Sequence, residues 1–458
     1  IAEKADPPVI LGHNLWGTLT HHASDLHHHH VADGPDRIYM DCNATTPVDL
    51  EVLMIFIFGN NISYCFHLIL GLKARDIIYH SRDTIARMVG GKAADIIFTS
   101  GGTELKANNL VFYTAVEYFR NSKPFAGGGT NWEQLNERGS LPHIIISNVE
   151  HDSIKLTAKH LLKEGKADVT FDPISKVTAW VEVKDVIAGI HPTTCLVSIV
   201  LANNEIGIIM PIKDICQRVR EVNKQRAASA PKILLHTDAA QAIGKIRVDA
   251  HELGVNYITI VGQKLYGPRI GALFGNDPGT TTPVYPLFFG GGQECNFRLG
   301  NDSRSGKGKT HLNLAEYEAH FLDIQCYLEQ KLLAVFGSDK IHFNSHFPGS
   351  DIFPNTCNVS ILGRGLQGCR VLSTCRGLLA SVGAACLSDS GAICTYKENV
   401  CGQYHLPFHI LLNCGIPYHV ATNALRISVG RSTFCEDVDI IVEDLREQLE
   451  RDELLMNS

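Results

Sequence analysis

Lys264 is a side chain that could do covalent chemistry. It stands in GQKLYGP (residues 262–268), directly after the apolar run YITIV and before a Tyr-Gly-Pro turn. A lysine amine beside a buried strand is partly desolvated, which lowers its pKa and suits it to attack a carbonyl carbon. Most lysines that follow a strand lie on the surface, so Lys264 alone does not predict a site. It becomes a candidate only when other polar residues are found at the ends of apolar strands.

A carboxylate stands in a similar position in LLHTDAAQAIGK (residues 234–245). Asp238 follows an apolar run, and Gln241 comes three residues later. A carboxylate in this place could pair with the protonated ring nitrogen of a cofactor and keep the ring an electron sink. The alternative is an aspartate that caps a helix.

A third polar strand end is FTSGGTE (residues 98–104). Gly102 and Thr103 precede an expected helix, and backbone N–H groups at a helix start attract phosphate. The glycines would let the phosphate approach the backbone closely. A plain turn with a helix cap explains the same residues equally well.

Two further candidates lie near the carboxyl end. Cys386 stands among small residues in SVGAACLSDSG (381–391), where a thiol could act as a nucleophile or as an acid; an inert buried thiol is the alternative. Arg426 lies inside an apolar strand pattern, and a guanidinium there needs a carboxylate. The carboxylate could belong to an amino-acid substrate or to a structural ion pair.

The elements that must position these residues follow a repeated βα pattern. Apolar runs of strand length alternate with amphipathic stretches such as 212–224 after Pro211, and most runs are continuous, as expected of strands covered on both faces. This predicts an α/β fold with a large, doubly wound, mostly parallel sheet. The expected strands are 96–100, 143–148, 169–173, 194–203, 233–239, 257–262 and 270–274.

The pattern changes after three consecutive glycines at 290–292. Helical segments at 311–336, 364–376 and 434–451 then mix with strand patterns at 357–362, 378–383 and 424–430. We therefore predict a flexible leader (1–36), a large domain (37–300, whose first residues could join the small domain) and a smaller α+β domain (301–458). The histidines at 27–30 belong to the leader, and no metal site is expected.

Composition excludes several classes of function. The chain is 45% hydrophobic and 19% charged with a net charge of −7, which gives no reason to expect nucleic acid. Its fourteen cysteines form no C-x-x-C pair, so reduced thiols in the cytosol are expected rather than a disulfide framework. The apolar stretch 52–72 is interrupted by Asn60 and Asn61, which favours a buried segment over a membrane span.

Taken together, the motifs resemble the class V aminotransferase group that contains the cysteine desulfurases and selenocysteine lyases, from about Tyr39 to Glu450. The resemblance implies the fold-type-I architecture of enzymes that use pyridoxal 5′-phosphate (PLP). The motifs that carry it, in order, are YMDCNATTP (39–47), SGGTE (100–104), VEHDSI (149–154), LANNEIG (201–207), HTDAAQAIGK (236–245), GQKLYGP (262–268), GGGQE (290–294), FPNTCN (353–358), SVGAAC (381–386) and LRISVGRST (425–433).

The resemblance also implies roles for single residues around PLP. Lys264 would form the Schiff base, and Asp238 would pair with the pyridine nitrogen. Gln241 would contact the ring hydroxyl, Asn204 would contact the ring oxygen, and His151 would stack on the ring.

The remaining implied roles concern phosphate and substrate. Gly102 and Thr103 would hold the phosphate together with Gln263, where the family usually has histidine. Arg426 would bind the substrate carboxylate, and Cys386 would meet the leaving selenium or sulfur.

For the whole chain the resemblance implies decomposition of L-selenocysteine to L-alanine and selenide, with L-cysteine desulfuration as the alternative. It also implies a homodimer, a possible selenium acceptor protein and no membrane or nucleic-acid partner. Cys386 could distinguish the substrates because a selenol is more acidic than a thiol.

Several departures from the family pattern favour a further alternative, an inactive relative that acts as a binding or dimerisation protein. Gln263 predicts weaker cofactor binding, and Asn301 replaces a threonine that reaches the partner's phosphate. Two extra residues before Asn108 would turn the following helix face by about 200°. The loop at Asn60 also differs, and the segment 394–410 is longer than in the family.

Overall fold

The structure, a computed structural model, describes most of the chain outside its amino-terminal part. The predicted leader (1–36), Gly102, Thr103, Asn301 and Cys386 lie outside the described residues, and so does most of the apolar stretch 52–72. The described residues are 37–49, 69–99, 107–122, 141–227, 230–268, 270–287, 297, 314–363, 365–383 and 408–457.

The strands are short and most of their residues are buried. They are β1 (Ile38–Tyr39), β2 (Ile96–Thr99), β3 (His143–Ser147), β4 (Asp168–Asp172), β5 (Thr194–Ser198), β6 (Leu234–Asp238), β7 (Tyr257–Val261), β8 (Gly271–Gly275), β9 (Ile341–Phe343), β10 (Thr356–Ile361), β11 (Leu378–Leu379) and β12 (Ala424–Ser428).

Seven of these strands form the central sheet, in the spatial order β2-β8-β7-β6-β5-β3-β4. The pairs from β7 to β4 are parallel, and β8 runs antiparallel to both of its neighbours. All seven strands predicted from the sequence occur in this sheet. The predicted doubly wound, mostly parallel α/β fold is therefore confirmed.

Helices connect and cover the strands. They are α1 (Ile69–Met88), α2 (Ala107–Asn121), α3 (Asp152–Lys163), α4 (Val183–Ala188), α5 (Ile212–Gln225), α6 (Ala250–Leu253), α7 (Leu314–Phe336), α8 (Gly368–Thr374), α9 (His409–Asn413), α10 (Tyr418–Ala421) and α11 (Cys435–Asn457). Helix α5 follows Pro211 as predicted and buries Ile212, Ile215, Cys216 and Val219, the spacing of one helical face. No described helix is long and apolar enough to cross a membrane.

Alternating residues of each central strand pack on opposite faces of the sheet. Ile145 and Val197 belong to the core on one face, whereas Ile144 and Leu196 belong to the core on the other. Two buried faces require apolar residues at every position, which explains the continuous apolar runs in the sequence. The strand ends are therefore the places where polar side chains can gather.

A second group of elements follows the central sheet. Strands β12, β10 and β9 form an antiparallel sheet that packs on α7 and α11 around a core containing Leu328, Val359, Ile427 and Leu445. Met40, which follows β1, belongs to the same core. Strand β11 ends earlier than predicted, because its partner β1 offers only two residues for pairing.

Candidate active site

Asp238 is the last residue of β6 and is only 5% exposed. Its Oδ1 accepts a hydrogen bond from the backbone N–H of Ala240 at 2.9 Å, and its Oδ2 accepts one from Asn108 Nδ2 at 3.0 Å. Two donors stabilise the ionised form of a buried carboxylate. Asp238 is thus a fixed negative charge at the carboxyl end of the central sheet.

Asn108 connects this carboxylate to His151. The Asn108 amide nitrogen also lies 2.9 Å from Ser153 Oγ, and its oxygen accepts a hydrogen bond from Thr259 at 2.7 Å. Ser153 Oγ lies 2.9 Å from His151 Nδ1, which also accepts the Ser153 backbone N–H at 3.1 Å. His151 therefore caps α3 through Nδ1 and keeps its other ring nitrogen for the proton of the neutral form.

The charges of Asp238 and Lys264 both affect the pKa of the His151 imidazole. Burial lowers its pKa, the Asp238 carboxylate opposes this change, and the positive charge of Lys264 adds to it. Asp238 and Lys264 thus both lie within electrostatic reach of one ring. The three residues thus lie at the same edge of the sheet, and their roles towards PLP stay predictions.

Lys264 ends the short 3₁₀ turn Gly262–Lys264 that follows β7. Its ammonium donates hydrogen bonds to the carbonyl oxygens of Asn43 and Ala44, the latter at 2.5 Å. The side chain is partly buried, and its amine is bound by these two backbone carbonyl groups. Its position after a buried strand agrees with the sequence-based expectation.

Gln241 reaches the same place from the turn after β6. Its Nε2 donates to the Asn43 carbonyl oxygen at 2.9 Å, the oxygen that also accepts from Lys264. Its Oε1 accepts a hydrogen bond from Lys245 Nζ at 3.0 Å. Two cofactor-binding candidates, Gln241 and Lys264, thus converge on a single carbonyl group.

Arg426 lies in the middle of β12 and is 1% exposed. Its NH2 group pairs with Asp41 Oδ1 at 2.6 Å, and its NH1 group donates to the Asn204 carbonyl oxygen at 3.3 Å. Ser381 Oγ donates to the other Asp41 oxygen at 2.7 Å. Of the two carboxylate partners considered from the sequence, the structure shows an internal one, so the contact with substrate stays a prediction.

Asn204 and Gln263, two other candidates, take part in hydrogen bonds through their backbone carbonyl groups. The Asn204 carbonyl oxygen accepts hydrogen bonds from Asn43 Nδ2 at 3.2 Å and from Arg426. The Gln263 carbonyl oxygen accepts from the N–H and the hydroxyl of Thr46, both at 2.9 Å. Their proposed side-chain contacts with PLP, and the phosphate contacts of Gly102 and Thr103, stay predictions.

The extra residues before Asn108 lie next to a helix residue that reaches the site. Asn108 belongs to α2 and donates to Asp238 Oδ2. The effect of the two extra residues on the helix face stays a prediction.

The described residues fit pyridoxal phosphate. An amine for the aldehyde, a carboxylate for the ring nitrogen and an imidazole for the ring face all lie at the carboxyl end of the parallel strands, where open α/β sheets bind ligands. The donors of Lys264 and Gln241 share one acceptor, so both point to the same side of the site. No single residue type among them would carry this assignment alone.

Three contributors were not chosen from the sequence: Asn43, Asp41 and Lys245. Asn43 binds Thr356 at 2.7 Å and offers its carbonyl oxygen to Lys264 and Gln241, although about 200 positions separate it from both. Asp41 and Asn43 stand in YMDCNATTP, which was one of the resembling motifs. Only that motif could have indicated them, because polar residues after a two-residue strand carry no periodic pattern.

This fold and site define a pyridoxal-phosphate-dependent enzyme of fold type I. The family model described as aminotransferase class-V matches residues 130–305. The chain is 49% identical to human selenocysteine lyase over 430 residues, covering 91% of this chain and 92% of the human protein. Rat selenocysteine lyase is 50% identical over 434 residues, covering 91% of this chain and 95% of the rat protein. The chain belongs to the class-V aminotransferase family, in the group of the selenocysteine lyases.

More distant relatives agree with this assignment. Cysteine desulfurase IscS 1 of Archaeoglobus fulgidus is 30% identical over 424 residues, covering 90% of this chain and 97% of that protein. Among solved structures, a NifS-like protein superimposes with a TM-score of 0.71 at 26% identity, covering 90% of this chain and 99% of that one. The structure of SspA in complex with cysteine gives a TM-score of 0.65 at 26% identity, covering 85% and 98%.

Proposed function

We propose that this chain removes selenium from L-selenocysteine and releases L-alanine. The observation that carries the proposal is the 49–50% identity to selenocysteine lyases over nine-tenths of the chain, against 30% to a cysteine desulfurase. The cluster of Lys264, Asp238 and His151 supplies the groups that the chemistry requires.

Each described residue has a physical reason for its role. Pyridoxal phosphate, when bound, supplies an electron sink for the substrate Cα. Asp238 would pair with the ring nitrogen because a fixed carboxylate favours a neighbouring cation. Lys264 would hold the cofactor through its amine, and as a free amine it could take the substrate Cα proton. His151 is partly buried and its pKa is lowered, so it would pack against the ring without adding charge.

The proposed role of Cys386 follows from atom balance. L-Selenocysteine and L-alanine differ by one selenium atom, so the thiol of Cys386 can take that atom and carry it as a selenium adduct. Release of selenide then consumes two electrons, which two molecules of an added thiol supply by forming one disulfide. Arg426 would orient the substrate carboxylate during this transfer.

The test is alanine release from L-selenocysteine by the PLP-loaded protein in the presence of a thiol reductant. Lys264→Ala should remove the visible absorbance of bound PLP and lower turnover by at least ~1,000-fold. Lys213→Ala, on the exposed face of α5, is the matched control and should retain both. Selenocysteine turnover by Lys264→Ala at the wild-type rate would refute the proposal, and an inactive wild type would favour the inactive-relative alternative.

The cysteine desulfurase alternative is separated by comparing the two amino acids. We expect a higher kcat/KM for L-selenocysteine than for L-cysteine, and a smaller ratio in Cys386→Ala if the thiol distinguishes a selenol from a thiol. An unchanged ratio would refute that role for Cys386. A wild type faster on L-cysteine would establish the desulfurase alternative.

We further propose a cytosolic homodimer that passes selenium to an acceptor protein. The proposal is supported by the family resemblance of the chain. Light scattering of the purified protein should give twice the mass of one chain, and a monomeric mass would contradict the homodimer. Cell fractionation tests the location.

A further inference from the structure

A second lysine lies inside the site. Lys245 is 2% exposed and is one of the largest buried side chains of the described residues. Its Nζ donates to Gln241 Oε1 at 3.0 Å and to Asn43 Oδ1 at 3.3 Å, and it lies 5.4 Å from the centre of the Phe353 ring. Burying an amine is unfavourable unless hydrogen bonds compensate for the lost water, so the two amide oxygens that accept from Lys245 are part of what keeps it there.

The hydrogen bond from Lys245 fixes one end of the Gln241 amide, and the Asn43 carbonyl fixes the other. An ammonium group has three donors and no acceptor, so the group facing it must be the amide oxygen. The amide NH₂ group then faces the other way, towards the Asn43 carbonyl and the Lys264 amine. Without the lysine, the Asn43 carbonyl alone would hold the amide in this orientation, and the amide oxygen would lose its donor.

Lys245 also belongs to the electrostatics of the site. Burial and the positive charges of Lys264 and Arg426 together lower the pKa of Lys245 to about 7, although Cys42 opposes them. Even at neutral pH a substantial fraction of Lys245 is therefore an ammonium ion.

We propose that Lys245 is a positioning residue that fixes Gln241 with its NH₂ group towards the ring hydroxyl of the cofactor. The inference rests on the proposed function, because it takes the hydroxyl contact of Gln241 from that assignment. A donated hydrogen bond stabilises the deprotonated hydroxyl and thereby lowers the pH at which the visible band of bound PLP changes. Lys245 acts on the cofactor through Gln241 and does not need to touch it.

The experiment is a double-mutant cycle of Lys245→Met and Gln241→Leu, with the pH midpoint of the visible PLP band and the PLP dissociation constant as readouts. We expect Lys245→Met alone to raise the midpoint by about one pH unit and to weaken PLP binding about tenfold. In the Gln241→Leu background the same substitution should change the midpoint little, because the amide it positions is gone. Lys213→Met serves as the surface control.

Equal midpoint shifts in both backgrounds, or no shift in either, would overturn the proposal. If Lys245→Met does not fold, Lys245→Gln replaces it: an amide can also accept, so the midpoint should rise by a smaller amount, and an unchanged midpoint would again overturn it. These readouts stay measurable in a protein that binds PLP but releases no alanine. Failure of the lyase activity and failure of the positioning role are therefore distinguishable.

Discussion

Arg426 and Asp41 form an ion pair with an N–O distance of 2.6 Å in which the arginine side chain is 1% exposed and the aspartate 14%. The pair joins β12 to the residues just after β1, which are 385 positions apart. The ion pair thus gives the arginine a fixed position and a countercharge beside the site.

Asp41→Asn should therefore destabilise the protein strongly. Removing one partner leaves the other charge buried without compensation, at a cost of about 3–5 kcal/mol in the free energy of unfolding. Chemical denaturation measures this value. Arg247 and Glu252 form a pair with the same distance but with side chains 70% and 58% exposed, so Glu252→Gln should cost less than about 1 kcal/mol. Similar losses in both variants would contradict the importance of burial here.

The substitution Glu150→Gln should make the free energy of unfolding less dependent on pH. Burial raises the pKa of Glu150 to about 8, although hydrogen bonds from Ser147 and Val200 oppose the change, and Asp238 adds to it. Between its unfolded value near 4.5 and about 8, the folded state binds the extra proton, so stability falls as the pH rises. The glutamine variant cannot ionise and should lack this loss.

The comparison needs unfolding free energies at about pH 5 and about pH 9. Between the lower and the higher pH, the wild type should lose roughly 4 kcal/mol of unfolding free energy that Glu150→Gln keeps. Glu316→Gln, on the exposed surface of α7, should follow the wild type at both values. Parallel curves for the wild type and Glu150→Gln would rule out a proton on Glu150 in the folded state.

Asn108→Asp should weaken PLP binding while the fold persists. The substitution replaces a hydrogen-bond donor to Asp238 by a second carboxylate, which removes the bond that holds Asp238 in place and repels its charge, and so weakens its pairing with the ring nitrogen. We expect a PLP dissociation constant higher by about tenfold or more, measured by fluorescence titration. Asn109→Asp is the neighbouring control, since Asn109 accepts a hydrogen bond from Thr157. Equal losses in the two variants would contradict a specific role for Asn108.

Gly207→Ala should separate backbone strain from crowding at the turn after Asn204. Gly207 has a φ of +64°, and an added Cβ would lie 2.9 Å from Thr356 Cβ and 3.1 Å from its carbonyl oxygen. Gly349 has a φ of +78° with nothing within 4 Å of an added Cβ. We expect a loss of about 1 kcal/mol in Gly349→Ala and about 2–4 kcal/mol in Gly207→Ala, measured by denaturation. If Gly207→Ala lowers the free energy of unfolding by less than Gly349→Ala does, β10 must move to make room for the added methyl group.

The sequence by itself determined the central sheet and several members of the site. Strands buried on both faces must be apolar throughout, so they stand out, and a polar residue directly after such a strand must lie at its end. Asp238 and Lys264 were found in this way, whereas His151 and Gln241 were assigned by resemblance to a known family.

Only the tertiary structure decided which groups those residues contact. Lys264 and Gln241 meet at the carbonyl of Asn43, Lys245 orients Gln241, and Arg426 pairs with Asp41 rather than standing alone. Asn43 is 198 and 221 positions from Gln241 and Lys264, and Asp41 is 385 positions from Arg426; only Lys245 and Gln241 are near in sequence. One of these partners is a backbone carbonyl, a group that every residue possesses. Periodicity reports which side of a strand or helix is buried, but a hydrogen bond depends on where the folded chain places two particular atoms.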